Sequence, residues 1–276
     1  MTLTNYPDVV QGSEEWDDLR RGIVTASTVG QLITTRRLTA IDYACPSCGA
    51  LRTEPCVGKR SPDPIKTLHP ERTAHAKSQP SPVIVEAASN DTSRDLTMLL
   101  VSERINGWTE PTYVSDDMMR GQCDEPLARA VYAEHYAAVE QTGFMLREES
   151  GWRLGCSPDG LVGDDGLLEI KSRRPKNHVK TVLADSVPLE NYAQLQAALL
   201  VSGRSWVDYV SYAGGMNLYR KRILPQADWF RAIIAAVVAL ENNAMEMQRF
   251  YGEATDGLPM TERRIYSLNP DVEIEL

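Results

Sequence analysis

Glu169-Ile170-Lys171 has the character of a β-strand, and side chains alternate along a strand. Glu169 and Lys171 therefore share one face while Ile170 turns to the core. Asp159 precedes Glu169 by ten positions, across Gly163-Asp164-Asp165-Gly166, which carries a hairpin-turn signature. A hairpin there sets Asp159 beside Glu169. Two carboxylates sharing a site repel each other, and hard cations such as Mg²⁺ or Mn²⁺ relieve the repulsion. Ions held this way clamp a phosphodiester and lower the pKa of a bound water. Lys171 is then placed to orient or deprotonate that water, or to offset charge on the phosphorane. The chemistry suggested is metal-dependent phosphodiester hydrolysis, but the same triad also arises on solvated strand edges, so the surrounding frame must decide.

A second constellation is built from cysteine. Of the five cysteines, Cys45, Cys48 and Cys56 fall close together, while Cys123 and Cys156 stand alone. An odd number argues against a disulfide framework and for a metal site. Cys45-Pro46-Ser47-Cys48-Gly49 has the form of a zinc-knuckle turn, in which thiolates at i and i+3 converge on one ion. Cys56 supplies a third ligand and His69 is the best fourth, with His75 as competitor. A Cys₃His set is closed and tetrahedral, hence structural. The segment around it is poor in apolar residues and needs such a staple to fold. A four-cysteine iron–sulfur site fits less well, because Cys123 and Cys156 lie outside the cluster.

The elements that must position these groups follow from periodicity and punctuation. Residues 13–35 read as helical: Ser13 is the N-cap, Trp16, Leu19 and Ile23 recur at helical spacing, and a second helix is expected after Thr25-Ala26-Ser27 with Val29, Leu32 and Ile33. From about Ala40 to Pro82, prolines at 46, 55, 62, 64, 70, 80 and 82 interrupt all periodicity, as in an insertion between two helices of the main domain. Helices are predicted from Asp91 to about Asn106-Gly107 and from about Cys123 to Gln141, the latter burying Leu127, Ala130, Val131 and Tyr132. Short strands are predicted at Trp152–Cys156, Asp159–Val162 and Leu167–Lys171. A helix over Leu189–Ser202, a strand pair around Gly214-Gly215 (Trp206–Ala213 and Leu218–Leu224) and a last helix over about Gln226–Phe250 complete an α/β core with a mixed sheet.

A net charge of −9 across 276 residues argues weakly against a nucleic-acid partner. The charge is segregated, however. Ile170 to Ala184 contains no acid and carries Lys171, Arg173, Arg174, Lys176 and Lys180. Lys59 to Lys77 also leans basic, and the acids gather at Glu14 to Asp18, Asp116 to Glu125 and the C-terminal tail. Local charge decides whether a phosphate backbone can dock. No stretch approaches the roughly 20 apolar residues of a membrane helix, and Met1 to Tyr6 shows no basic or apolar leader. A cytoplasmic location, in a bacterial host for a phage-encoded chain, is expected.

Four ordered blocks supply the frame. Gly155-Cys156-Ser157-Pro158-Asp159-Gly160-Leu161, with Gly166-Leu167-Leu168-Glu169-Ile170-Lys171, resembles the phage lambda exonuclease and YqaJ-like viral recombinase family of the PD-(D/E)xK nuclease superfamily. Leu19-Arg20-Arg21-Gly22-Ile23-Val24-Thr25-Ala26-Ser27 is similar to that family's N-terminal segment. Arg120-Gly121 with Glu125 resembles its RG-x-x-x-E helix, and Asn191-Tyr192-Ala193-Gln194-Leu195-Gln196 its Q-x-Q helix.

The resemblance implies a restriction-endonuclease-like core, a mixed central sheet flanked by helices, spanning 1–39 and 83–252; the zinc-stapled insertion at 40–82, which the lambda-type enzymes lack, departs from the family pattern, and a tail is expected at 253–276. It implies that Asp159, Glu169, Glu125 and the Ile170 carbonyl bind metal, as two Mg²⁺ (or Mn²⁺) ions, with assistance from Lys171 and with Gln194 near the centre. Arg20 and Ser27 are implied to hold a DNA 5′-phosphate, with Arg21 an alternative to Arg20. An arginine fork and a hydroxyl near a helix start suit a phosphate.

The implied activity is Mg²⁺-dependent 5′→3′ degradation of linear double-stranded DNA for recombination, with a single-strand annealing protein as partner and a trimeric ring as assembly. An endonuclease, a single-strand-specific enzyme, or a DNA-binding module acting through the insertion are the alternatives. Cys-Pro-x-Cys-Gly, Pro-Cys and His-x-x-Arg resemble a small zinc-binding domain of actinobacterial and actinophage proteins. Lys59, Arg60, Lys66 and Arg72 are its candidate DNA contacts.

Overall fold

A computed structural model of the chain describes residues 2–58, 61–111 and 114–263. The first strand, β1 (Thr2–Tyr6), leads into helix α1 (Glu14–Arg20). Ser13 caps α1, its hydroxyl accepting from Trp16 N, with Glu14, Glu15 and Asp17 in the first turn where the helix dipole favours them. The helix ends at Arg20, and the second helix expected after Thr25-Ala26-Ser27 does not form. Val24–Thr25 is a two-residue strand β2, Val29–Leu32 a single 3₁₀ turn, and Ile33–Arg37 a strand β3. The β-branched run Ile33-Thr34-Thr35 favours extended backbone. It pairs antiparallel with β4 (Val83–Ala87), where Val83-Ile84-Val85 has the same bias.

The proline-rich segment therefore hangs from a two-stranded stem, not between two helices. It contains a 3₁₀ turn at Ala40–Asp42 and helix α2 (Pro70–Lys77). Arg36 at the stem places its guanidinium on both oxygens of buried Asp42, at 2.7 and 2.8 Å.

Helix α3 (Asp91–Asn106) starts at the Asn90 cap and stops at Gly107, whose φ of +65° closes the helix in the left-handed region. Helix α4 (Asp116–His135) begins well before the expected Cys123, capped by Ser115, with Asp116 and Asp117 in its first turn. Pro126 lies inside it and marks no start, although its missing N–H removes one hydrogen bond of the helix. The buried face of α4 is Ala128 and Tyr132. Leu127 and Ala130 face out and Val131 is half-buried, a shift of the expected face set by packing on the strands beneath.

Strands β5 (Phe144–Glu149), β6 (Trp152–Cys156), β7 (Gly160–Val162) and β8 (Gly166–Ser172) follow, then helices α5 (Pro175–Ala184) and α6 (Leu189–Ser202), strands β9 (Trp206–Tyr212) and β10 (Tyr219–Ile223), and helix α7 (Ala227–Ala254). The mixed sheet is present as two four-stranded sheets, ordered β1-β5-β6-β2 and β10-β9-β8-β7, with β2 parallel to β6 and β8 parallel to β9. The main core joins Leu154 of β6, Leu167 of β8 and Val207 of β9 to Leu195 and Leu199 of α6 and Ile233 and Val237 of α7. Among the described residues no helix is long and apolar enough to cross a membrane.

Candidate active site

The hairpin required by the spacing is formed. β7 and β8 pair antiparallel, Gly160 opposite Leu168, around a turn where Gly163 has φ of +56°. Asp159 precedes β7. Its N–H donates to the Leu168 carbonyl at 3.1 Å, and its Oδ2 accepts from Ile170 N at 2.5 Å. Asp159 is thus pinned beside Glu169. Ile170 points away, into the cluster of Leu168, Val210 and Tyr132.

Glu169 is almost wholly buried, at 3% exposure. Its Oε1 accepts from Lys171 Nζ at 2.7 Å and from Gln194 Nε2 at 2.5 Å. Gln194 comes from α6. The second glutamine of that helix serves elsewhere, since Gln196 clips the chain before α7 through Leu224 O and Gln226 N, each at 2.9 Å. Glu125 enters from α4 and pairs with Arg129 one turn later. Arg129 Nε also donates to the Asp159 carbonyl at 2.9 Å, joining α4 to the acidic loop. Ser172 Oγ donates to Asp124 at 2.6 Å and accepts from Arg120 Nε at 3.1 Å, so α4 also grips the end of β8.

The electrostatics follow from this crowding. Burial and the Glu169 charge push the Asp159 carboxyl well above the usual range, against the opposing pull of Lys171. Burial also raises Glu125, with Arg129 opposing and Glu169 adding. Burial works against the Lys171 charge, but Glu169 and Asp159 outweigh it and hold the ammonium protonated. Asp159, Glu169 and Glu125 offer oxygen donors only, the kind of ligand that suits Mg²⁺ or Mn²⁺. Lys171, Gln194 and Arg129 occupy those oxygens, so the carboxylates stand in electrostatic reach without closing on one point. Among the described residues only the cysteine cluster gathers three or more ligand atoms within 4.8 Å.

A cleft of about 1140 Å³ reaches Asp159 and Glu125 and is also lined by Trp16, Arg20, Arg21, Thr25, Thr28 and Arg129. The Arg20 guanidinium lies 3.6 Å over the Trp16 ring, and Trp16 Nε1 donates to Ser157 Oγ at 2.8 Å. Arg21 is committed to Asp18 at 2.5 Å. Ser27 is exposed in the turn after β2 and its hydroxyl meets that of Thr25 at 3.0 Å; Thr25 and Thr28, not Ser27, line the cleft. Trp16 and Thr25 lie in segments that the sequence marks, but nothing in it singles out Trp16, Thr25, Thr28 or Arg129 as lining the cleft. Their roles come from contacts between distant segments.

Cys45, Cys48, Cys56 and His69 bring their ligand atoms within 4.8 Å of one another. Tetrahedral zinc with Zn–S of about 2.3 Å sets sulfurs about 3.8 Å apart, which this spacing accommodates. Backbone N–H groups of Val57 and Ala50 bring the Cys48 thiol down to about 6, ready to ligate. His75 is exposed and packs edge-on against Tyr43 instead. Arg72, a candidate DNA contact in the sequence, is 0% exposed. Its guanidinium donates to the carbonyls of Ala40, Tyr43, Glu54, Ile41 and Leu51 at 2.7–3.0 Å and to Cys56 Sγ at 3.5 Å. It knits the cysteine module from within. Lys66 is exposed, and Lys59 and Arg60 lie outside the described residues.

An Asp on a hairpin, a strand Glu-x-Lys and helix-borne Glu and Gln on a mixed α/β frame define a PD-(D/E)xK, restriction-endonuclease-like core. Residues 78–205 match the YqaJ-like viral recombinase domain, and residues 15–88 match the family described as "Putative DNA-binding phage zinc finger domain". The chain is thus similar to a YqaJ-like viral recombinase domain over the first of these segments and to a phage zinc-binding module over the second. Its fold is similar to that of the alkaline exonuclease LHK-Exo from Laribacter hongkongensis, with a TM-score of 0.65 at 23% identity over 90% of this chain and 100% of the other. The same enzyme in complex with dAMP matches at 0.63 and 24% identity, again over 90% and 100%. No curated protein matches the chain.

Proposed function

We propose that the chain is a Mg²⁺-dependent deoxyribonuclease, an exonuclease that degrades one strand of linear double-stranded DNA from its 5′ end and so exposes single strands for phage-type recombination. The observation that carries the reading is the convergence of Lys171 and Gln194 on one oxygen of buried Glu169, with Asp159 pinned alongside on the hairpin. Asp159, Glu169, Glu125 and the Ile170 carbonyl would hold two metal ions, Mg²⁺ or Mn²⁺. Bound Mg²⁺ supplies a Lewis acid and an activated water.

The residues do the rest. Lys171, kept protonated by its acidic neighbours, offsets charge on the phosphoryl oxygens and orients the attacking water. Gln194 holds Glu169 in register, and Arg129 holds Glu125 and the Asp159 peptide. Arg20, stacked on Trp16 and free of any ion pair among the described residues, is the group to receive a 5′-terminal phosphate; Ser27 and Thr25 offer hydroxyls nearby. The spent pairing of Arg21 with Asp18 favours Arg20 over its neighbour.

The nuclease unit is assigned to 1–39 and 83–252, the zinc module to 40–82 and a tail to 253–276, on the support of the β3–β4 stem. The zinc is structural, since Cys₃His leaves no open position. A single-strand annealing protein is the proposed partner, a trimeric ring the proposed assembly and the host cytoplasm the proposed location; these rest on family resemblance. The exonuclease named above, with its dAMP complex, supports DNA as substrate. Duplex labelled separately at each 5′ and each 3′ end and digested with Mg²⁺ tests polarity. Early release of the 5′ label supports the reading, and early release of the 3′ label reverses it.

A further inference from the structure

The turn that carries Arg20 is built on Gly22. Ile23 N donates to the Arg20 carbonyl at 3.1 Å, closing the turn, and Gly22 has φ of +65°. A Cβ at Gly22 would fall 2.6 Å from Arg104 Cγ, so any larger residue would displace the Arg104 side chain as well as strain the turn. Two successive residues of α3 then take both polar groups of that one glycine. Glu103 Oε2 accepts from Gly22 N at 2.7 Å, and Arg104 Nε donates to Gly22 O at 2.7 Å. Glu103 is buried, and the Arg104 fork is itself held by both oxygens of Glu241 on α7, each at 2.8 Å. Both Glu103 and Arg20 line the cleft that reaches Asp159.

We infer that Glu103 and Arg104 are positioning residues for recognition of the DNA end: by clasping the Gly22 peptide they fix where Arg20 presents its guanidinium relative to the metal-binding carboxylates. The inference rests on the reading that Arg20 receives the terminal phosphate. Neither residue needs to touch DNA. A displacement of about an ångström in a substrate-positioning group costs on the order of 100-fold in rate, so a clasp on both sides of the glycine has a direct catalytic consequence. Glu241 links the same clasp to the long helix α7, which packs against the core.

The test is the ratio of kcat/KM on linear duplex with 5′-phosphoryl ends to that with 5′-hydroxyl ends, measured with Mg²⁺. A general loss of folded enzyme leaves this ratio unchanged. Wild type, Arg20→Ala, Glu103→Leu and Glu103→Gln are compared. Glu103→Leu removes the acceptor and is expected to lower the ratio about tenfold or more, while Glu103→Gln keeps an acceptor and is expected to restore most of it. Arg104→Met, which frees the Gly22 carbonyl, reports the same contact should Glu103→Leu fail to fold, and is expected to lower the ratio likewise. A wild-type ratio near one overturns the phosphate reading itself. A high wild-type ratio that collapses in Arg20→Ala yet survives in Glu103→Leu, or in Arg104→Met where that variant stands in, overturns the clasp and leaves the phosphate reading standing. Equal loss in Glu103→Leu and Glu103→Gln also overturns the clasp, since it assigns the effect to charge and not to the hydrogen bond.

Discussion

Lys171 Nζ lies 2.7 Å from Glu169 Oε1, and Gln194 Nε2 reaches the same oxygen. The residue proposed to assist the attacking water is therefore also the partner of a carboxylate proposed to hold the metal. Strand alternation makes the pair unavoidable, because residues two apart on β8 share a face. Removing either the lysine or Asp159 should abolish turnover without unfolding the chain. Lys171→Ala and Asp159→Ala are expected to lose activity by about 100-fold or more while retaining wild-type circular dichroism. Wild-type rates in both would remove the site.

Asp159 carries a stability consequence of the opposite sign. Burial and Glu169 raise its folded-state pKa above the unfolded value near 3.9. A raised carboxyl contributes stability below the unfolded pKa, and that contribution is lost as pH rises through the folded value. In chelator, rising pH therefore costs the folded protein stability at this carboxyl. Asp159→Asn is expected to raise the melting temperature in chelator at pH 8 and to narrow its advantage toward pH 4. For the same reason Mg²⁺ affinity of the wild type should strengthen with rising pH, since protons compete for the ligand. Calorimetric titration with Mg²⁺ across pH checks this.

Asp208 gives the ordinary acid-side behaviour. Burial alone would raise its pKa, but hydrogen bonds from Arg222, Tyr132 and Arg220 outweigh burial and hold it low. A depressed pKa contributes stability above the unfolded value that is lost as pH falls through the folded one. Asp208→Asn should therefore destabilise the protein at pH 7 and flatten its loss of stability below about pH 4. Thermal melts of both proteins from pH 3 to pH 7 measure the difference.

The zinc module should depend on its metal and on Arg72 alike. Its core holds little apolar surface beyond Ala50, Ile65 and Leu68 with the cysteines. Arg72→Met would leave five carbonyls around an apolar side chain. Each unsatisfied buried group costs about 1–3 kcal/mol, so the module is expected to lose its fold. Cys48→Ser is expected to release zinc. Hydrogen exchange over residues 40–82 should rise in either variant, with little change in the sheet that carries Glu169. Less than about half an equivalent of zinc in wild-type protein would count against the Cys₃His site.

How much of the molecule is legible in the sequence depends on the distance over which each contact acts. The Asp159–Glu169 relationship can be read because a tight hairpin makes it local. The zinc cysteines can be read for the same reason, and His69 only as the better of two candidates. Helix α6 has the bounds its pattern predicts because its apolar run ends at a glycine. By contrast, Ile33–Arg37 follows a helical-looking segment, and its β-branched residues signal a strand only once the partner at Val83–Ala87 is known. Strands β1 and β5 are unmarked for a similar reason, since each pairs with the other across most of the N-terminal half of the chain. Arg72 reads as a surface cation because nothing local announces that five carbonyls surround it. Arg129 and Glu103 act through segments distant in sequence, and a helix pattern alone does not reveal them.

The most direct measurement is digestion by purified protein with Mg²⁺ of one linear duplex, labelled at the 5′ end of a single strand, beside the same DNA as a closed circle, with Asp159→Ala run in parallel. Stepwise loss of the labelled strand from its 5′ end, an intact circle and an inert variant are expected. Cutting of the circle at the rate of the linear duplex, or undiminished digestion by Asp159→Ala, would contradict the proposed function.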